Sequence, residues 1–209
     1  MKRLLLITLL LLPLSIFAAG AETPIVLEHV KINVQDRASV LRGAKFYASN
    51  CMSCHTMKYL QHNKIAKEAG ITLDKMPLKN QTWWLGIVPP DLTLIAAQKS
   101  PDWLYTYFHS FYKDPKRPTG YNNLLATNNM TNIFAAFQGQ QEITTPMKTL
   151  VSQLGLRKEH YYSVLKLVRS GSMTPDQYNE TMKDLVNFLV YASDPKSVER
   201  HQLGWWVIG

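Results

Sequence analysis

The residues of this chain best suited to chemistry are 51–55, a Cys-Met-Ser-Cys-His segment that contains both of its cysteines. On a helical turn, two thiols at this spacing lie on one side and can add to the two vinyl groups of a porphyrin. The imidazole of His55 would then lie beneath the ring. One of its nitrogens can bind the iron while a backbone carbonyl holds the other. The motif predicts one covalently bound haem of the c type, held by Cys51, Cys54 and His55.

Two other interpretations of the same cysteines are a disulfide and a zinc site. Zinc needs two further ligands, and the sequence has neither a second cysteine pair nor a His-x3-5-His pattern. A thioredoxin-like redox motif is not expected either, because the segment does not follow a βαβ pattern. A disulfide therefore stays open as the alternative to haem.

Residues 1–21 have the composition of a secretory signal peptide. Lys2 and Arg3 precede the apolar residues 4–17, and the small residues that follow end in Ala-Gly-Ala, an A-x-A cleavage site. The apolar run is shorter than the ~20 residues of a membrane span, so we expect cleavage after Ala21. Export would place the mature haem domain in the periplasm, on the side of the bacterial inner membrane where haem is attached to c-type proteins. A cysteine pair left without haem in that compartment would be prone to oxidise.

Length and charge indicate one globular domain, which we place at residues 22–196. The chain has 209 residues, 46% of them hydrophobic, enough to bury a core beside a large cofactor. Removing residues 1–21 takes away Lys2 and Arg3 and no acidic residue, so the net charge of +8 becomes +6. A basic surface favours an acidic partner or an anionic lipid surface, and the compartment argues against nucleic acid.

A first helix is predicted to position the motif, with Asp36 capping its start. Apolar or small residues recur along one helical face at Val40, Ala44, Tyr47 and Cys51. Gly43 lies in the helix interior, where glycine costs about 1 kcal/mol unless its missing side chain is needed. We therefore expect another helix to cross closely at Gly43.

A last helix is predicted to begin at Thr174-Pro175-Asp176-Gln177, which has the residues of a capping box with proline at the first helical position. Its apolar stripe is Met182, Leu185, Val186, Leu189 and Val190. It should end before Pro195. Together with the Cys-x-x-Cys-His motif, the two helices resemble the class I cytochrome c fold. That resemblance implies a mainly α haem domain with long loops, in which the first and last helices cross.

The segments between these helices read as loops and shorter helices. Pro89-Pro90 fixes an extended segment that can lie flat against a cofactor edge or form a rigid surface loop. A helix is predicted to begin at Ser100-Pro101-Asp102 and to run from Trp103 to Tyr112, with a bulky aromatic face. Residues 114–123 are expected to form a long loop and residues 158–168 a further helix.

An electron-carrying haem needs a sixth ligand, usually a methionine sulfur, which raises the reduction potential. The methionines of the mature chain are Met52, Met57, Met76, Met130, Met147, Met173 and Met182. Met52 and Met57 lie too close to the motif to reach the opposite face of the haem. Met182 is better explained as a packing residue of the last helix.

The order of these motifs resembles the cytochrome c1 family, the haem subunits of ubiquinol:cytochrome c reductases. The similarity rests on the Cys-x-x-Cys-His motif, Pro89-Pro90-Asp91-Leu92, the helix from Trp103, the segment 117–123, a methionine shortly after it, and the closing helix. It implies His55 and Met130 as axial ligands, Pro90 packed on the haem and Arg117 near a propionate. Met130 lacks the flanking prolines that members similar to this chain commonly have, and Met147, which follows Pro146, is the second candidate.

The resemblance also implies a function, partners and a membrane. The expected subunit accepts an electron from a Rieske-type iron-sulfur subunit, beside cytochrome b, and passes it to a cytochrome c without being catalytic alone. Members of the family end in a membrane helix, so residues 197–209 are expected to form a linker and the start of an anchor. Trp205 and Trp206 suit a membrane interface. About 15 further apolar residues would be needed to span the bacterial inner membrane, with the haem domain facing the periplasm.

The sequence leaves three alternative functions open. The chain can be another periplasmic c-type cytochrome, or a haem enzyme or gas sensor with an open sixth position, for which His109 is the residue able to act on the distal side. A binding module stabilised by a disulfide is the third.

Overall fold

The computed structural model describes residues 25–77, 83, 86–127, 129–144, 149, 159–197 and 200. The expected signal peptide, the expected anchor residues 201–209 and Met147 lie outside these residues. Over the described part of the chain, the fold is mostly helical with two small antiparallel sheets. None of the helices described there is long and apolar enough to cross a membrane.

The described elements are short apart from the first and last helices. In chain order, the helices are α1 (Arg37–Asn50), α2 (Lys64–Glu68), α3 (Ile95–Gln98), α4 (Pro101–His109), α5 (Tyr161–Val164) and α6 (Pro175–Ser193). The strands are β1 (Phe111–Lys113), β2 (Tyr121–Asn123), β3 (Gly139–Ile143) and β4 (Leu165–Ser170). Single 3-10 turns lie at Lys58–Leu60, Leu73–Lys75 and Ile133–Ala136.

The predicted caps of α1 and α6 are confirmed. The Asp36 side chain accepts a hydrogen bond from the Ser39 backbone N–H, and α1 begins directly after it. At the start of α6, the Thr174 hydroxyl accepts from the Gln177 backbone N–H, and the Gln177 side chain accepts from the Thr174 N–H. These bonds satisfy backbone donors that the first helical turn leaves free.

The two long helices cross at Gly43, as the sequence predicts. A Cβ atom at Gly43 would lie 2.0 Å from the Asp184 carbonyl oxygen of α6. The buried Asp184 carboxylate accepts hydrogen bonds from the Ser39 hydroxyl at 2.6 Å and from the Arg42 guanidinium at 2.6 and 2.9 Å. The contact therefore joins a close backbone approach to a charge-assisted pair, which fixes α6 against the helix that carries the haem motif.

Helix α4 begins as predicted but ends sooner. Ser100 caps it by accepting from the Trp103 N–H, with Pro101 at the first position. It ends at His109, so the predicted extension to Tyr112 is wrong. There the chain becomes β1, which pairs antiparallel with β2 from Phe111↔Asn123 to Lys113↔Tyr121. The loop predicted at 114–123 is thus the turn and second strand of a hairpin. Aromatic residues suit a strand that has a partner, and this partner follows about ten residues later.

The helix predicted at 158–168 is also largely wrong. Among the described residues 159–168, Tyr161–Val164 alone is helical, and the chain continues as β4, antiparallel to β3 with register pairs from Gly139↔Ser170 to Ile143↔Leu165. The apolar residues of the segment fit a helical spacing. Pairing with β3, more than 20 residues earlier in the chain, determines their conformation instead.

Candidate functional site

The haem motif lies on the turn that ends α1. The Cys51 N–H donates to the Tyr47 carbonyl at 2.8 Å, and the N–H groups of Cys54 and His55 donate to the Cys51 carbonyl at 3.0 and 2.8 Å. The helical path thus continues by one tight turn through the motif. Both cysteines carry free thiols, Cys51 buried and Cys54 exposed, so the two sulfurs are available to add to a porphyrin. Burial, with a smaller effect of Cys54, raises the pKa of the Cys51 thiol to about 12.

The His55 imidazole is oriented by the proline segment. Its Nδ1 lies 2.8 Å from the Pro90 carbonyl oxygen. Because a carbonyl can only accept, Nδ1 carries the proton and Nε2 keeps the lone pair that a metal binds. Burial lowers the pKa of His55, although the bond to Pro90 acts in the opposite direction, so the neutral form is favoured. The Tyr47 hydroxyl donates to the His55 carbonyl at 2.6 Å and fixes the backbone.

A cavity of about 360 Å³ opens beside the second cysteine of the motif. Its walls are Cys54, Thr56, Pro77, Trp83, Val88, Pro89, Pro90 and Asp91. The Trp83 indole N–H on this wall is buried and has no hydrogen-bond partner among the residues that the structure describes. An acceptor on a bound group would satisfy it. Free thiols, a neutral imidazole and an apolar cavity with one unpaired donor fit a c-type haem.

Arg117 is joined by a hydrogen bond to the residue that precedes Met130. Arg117 Nη2 donates to the Asn129 side-chain oxygen at 2.7 Å, and Asn129 directly precedes Met130. Met130 packs against the core cluster that also contains Cys51. The Tyr107 hydroxyl lies 3.9 Å from the Met130 sulfur and donates to it. The structure thus joins Arg117 to the residue before Met130, and Pro90 to His55. Iron ligation by Met130 stays a prediction.

His109 is not available as a ligand. Its side chain is 1% exposed, Nδ1 lies 2.7 Å from the Tyr105 carbonyl oxygen, and Nε2 lies 3.0 Å from the side-chain amide of Asn179. Both ring nitrogens therefore have partners inside the core, and burial lowers the pKa of this imidazole. The hypothesis of an open sixth site loses the residue on which it depended.

The described residues also lack the side chains of a zinc site. No group of three or more His, Cys, Asp or Glu residues that could hold a metal ion occurs among them. Met182 is fully buried in the main core cluster, as expected for a packing residue.

A mainly helical fold whose first helix ends in a Cys-x-x-Cys-His turn, with the histidine Nδ1 held by a carbonyl, defines a c-type cytochrome. The model of the Cytochrome C1 family matches residues 29–82 and 71–209. The chain belongs to the cytochrome c1 family. Membership implies a covalently bound c-type haem and electron transfer in a bc1 complex, and it confirms the family predicted from the sequence.

Three relatives illustrate the similarity. A cytochrome c1 of Allochromatium vinosum is 36% identical, with all of this chain and 91% of the relative aligned. A protein of Nitrosomonas europaea named ammonia monooxygenase gamma subunit is 29% identical, covering all of this chain and 90% of the relative. A cytochrome c1 of Blastochloris viridis is 22% identical over 83% of this chain and 75% of its own length.

Three residues of the site were not found from the sequence. Asp91 bonds to the segment that follows His55, Tyr107 donates to Met130, and Trp83 lines the cavity. Asp91 is part of the motif Pro89-Pro90-Asp91-Leu92, but the motif does not show which residues its carboxylate contacts. The contacts of Asp91 and Tyr107 join residues that are 23 to 35 positions apart, and no local pattern predicts such pairs.

Proposed function

We propose that the chain carries one haem, joined to Cys51 and Cys54, and transfers single electrons within a ubiquinol:cytochrome c reductase. It accepts the electron from a Rieske-type iron-sulfur subunit that works beside cytochrome b, and it delivers the electron to a cytochrome c. The observation that carries the proposal is the 2.8 Å contact between His55 Nδ1 and the Pro90 carbonyl. It leaves Nε2 as an iron ligand directly after two free thiols.

Each residue of the site has its own role in this proposal. His55 and Met130 would hold the iron, with Pro90 packed against the haem. The Met130 sulfur accepts the hydrogen bond of Tyr107. Arg117, which donates to Asn129, would balance the charge of a propionate. When bound, the haem supplies an iron that gains and loses one electron.

The subunit makes and breaks no bond of a substrate, so it is not catalytic alone. Residues 1–21 direct export and are removed after Ala21, and residues 22–196 form the haem domain on the periplasmic side. Trp205 and Trp206 meet the interface of the bacterial inner membrane, next to the basic residues Arg200 and His201. The net charge of +6 that remains after cleavage favours an acceptor cytochrome with an acidic surface.

The visible spectrum of the purified mature protein tests this function. We expect a low-spin haem in both oxidation states that cycles reversibly by one electron and does not bind carbon monoxide when reduced. Rapid carbon monoxide binding to the reduced native protein would instead show an open sixth position, as in a gas sensor or haem enzyme.

A further inference from the structure

The carboxylate of Asp91 joins the proline segment to the residues that follow the haem motif. Asp91 Oδ2 accepts from the Thr56 hydroxyl at 2.6 Å and from the Lys58 backbone N–H at 3.0 Å. Asp91 Oδ1 accepts from the Thr93 backbone N–H at 2.9 Å. One side chain therefore bridges residues 56–58 and residues 91–93.

Further bonds make this bridge rigid. The Leu92 N–H donates to the Thr56 carbonyl at 2.9 Å, so the two segments are also joined through their backbones. The Ser193 hydroxyl at the end of α6 donates to the Thr93 carbonyl at 3.1 Å. Thr56 and Thr93 are buried, at 8% and 2% exposed. The Pro90 carbonyl, next to Asp91 in the chain, thus faces His55 from a segment that has little freedom to move.

Asp91 is also suited to keep its negative charge. Partial burial opposes ionisation, but the hydrogen bonds from Thr56, Thr93 and Lys58 outweigh it and lower the pKa of the carboxyl group. The Tyr47 hydroxyl holds the carbonyl of His55 from another direction. His55 is therefore held at its ring by the Pro90 carbonyl and at its backbone by the Tyr47 hydroxyl. The Asp91 carboxylate lies on the residue next to Pro90.

We propose that Asp91 is a positioning residue that lowers the reduction potential of the haem iron, by holding the Pro90 carbonyl on His55 and by placing a negative charge near that ligand. This inference rests on the proposed function, since it requires an iron bound by His55. Asp91 itself does not touch the iron.

Two effects of Asp91 act in the same direction. A carbonyl that accepts firmly from Nδ1–H makes Nε2 a stronger donor, which stabilises the oxidised iron. A nearby negative charge also favours the oxidised state, which carries one more positive charge. Weakening either effect should move the reduction potential to more positive values.

The test is the reduction potential of three variants of the mature holoprotein. Asp91→Asn keeps the shape of the side chain but removes its charge and one pair of acceptor positions. Thr56→Val keeps the charge and the branched shape but removes the hydroxyl donor. Glu180→Gln, an exposed carboxylate on α6 that contacts Lys183, is the control for loss of any negative charge.

We expect a positive shift in Asp91→Asn, a smaller positive shift in Thr56→Val that Thr56→Ser reverses, and a negligible shift in Glu180→Gln. The NMR signals of the His55 ring in the oxidised protein should move in Asp91→Asn and Thr56→Val. Thr56→Val keeps the inference testable should Asp91→Asn fail to fold. Unchanged potentials and His55 signals in both Asp91→Asn and Thr56→Val, or an equal shift in Glu180→Gln, would overturn it. Absence of covalent haem in the wild-type protein would instead overturn the proposed function.

Discussion

Gly43 and Asp184 meet where α1 and α6 cross, so closely that no side chain fits between the two helices. A Cβ atom on Gly43 would lie 2.0 Å from the Asp184 carbonyl oxygen and 2.8 Å from the Phe188 Cβ atom. The Asp184 carbonyl carbon would lie 2.6 Å away as well, so two of the three nearest atoms belong to the backbone of α6, which cannot rotate out of the way. The glycine therefore fixes how near the last helix lies to the helix that ends in the haem motif.

Gly43→Ala should destabilise the protein, although alanine is the better helix former. The helices must separate to admit the methyl group, and overpacking of this kind costs about 2 kcal/mol or more. The measurement is the midpoint of denaturant unfolding with the slope held fixed. Ser49→Ala, at an exposed position of the same helix, is the control and should change little. An unchanged or raised midpoint for Gly43→Ala would contradict the close crossing.

His109 should make the stability depend on pH. Burial lowers the pKa of this imidazole from 6.5, so below that pH the unfolded chain binds more protons at His109 than the folded protein does. The contribution of neutral His109 to the free energy of unfolding is complete above pH 6.5. It is lost as the pH falls from 6.5 through the pKa of His109 in the folded protein. His109→Gln should therefore lose less stability on acidification than the wild type does. The measurement is the free energy of unfolding by denaturant at several pH values. An equal change of this free energy with pH in the two proteins would rule out this role.

Met130 should be the sixth ligand of the iron. In the oxidised protein, the weak long-wavelength absorption band of a methionine-ligated haem should disappear in Met130→Leu, and the reduced variant should bind carbon monoxide. Met147→Leu is the matched comparison because Met147 is the second candidate. If the band survives in Met130→Leu and disappears in Met147→Leu, the ligand is Met147.

Tyr107→Phe should lower the reduction potential. The hydroxyl, 3.9 Å from the Met130 sulfur, draws electron density from it and makes it a poorer donor to the oxidised iron. Removing the hydroxyl should strengthen the bond in that state. Tyr105→Phe, on the same helix with its ring packed against His109, is the control. A potential that rises in Tyr107→Phe, or moves as far in Tyr105→Phe, would argue against this contact.

The parts of the fold that were predictable from sequence depend on local signals. Asp36, Thr174 and Pro175 mark helix starts through contacts within three residues, and Gly43 stands out because glycine is costly inside a helix. The strands were missed for the converse reason. β1 and β4 are short segments that mix apolar with charged residues. Their conformation is set by pairing with β2 and β3, and so short a run does not by itself distinguish helix from strand.

The site likewise has parts that local sequence predicts and parts that depend on distant contacts. The order of Cys51, Cys54 and His55 predicted both the cofactor and the ligand, since the spacing itself carries the chemistry. The contacts that hold His55 and Met130 in place were not predictable, because Asp91 and Tyr107 meet their partners only after folding. Pro90 and Arg117 were expected from the family resemblance. The structure adds that the Pro90 carbonyl contacts His55 and that Arg117 binds the side chain of Asn129.

The covalent bond between haem and Cys51 and Cys54 is tested most directly by extraction with acidified organic solvent followed by peptide mass measurement. The account predicts that the haem stays with the wild-type protein and that the peptide containing residues 51–55 carries its mass. Cys51→Ala and Cys54→Ala should each weaken or abolish attachment, because each removes one of the two thioether bonds. Complete loss of haem from the wild-type protein, with residues 51–55 recovered at the unmodified mass, would contradict the account.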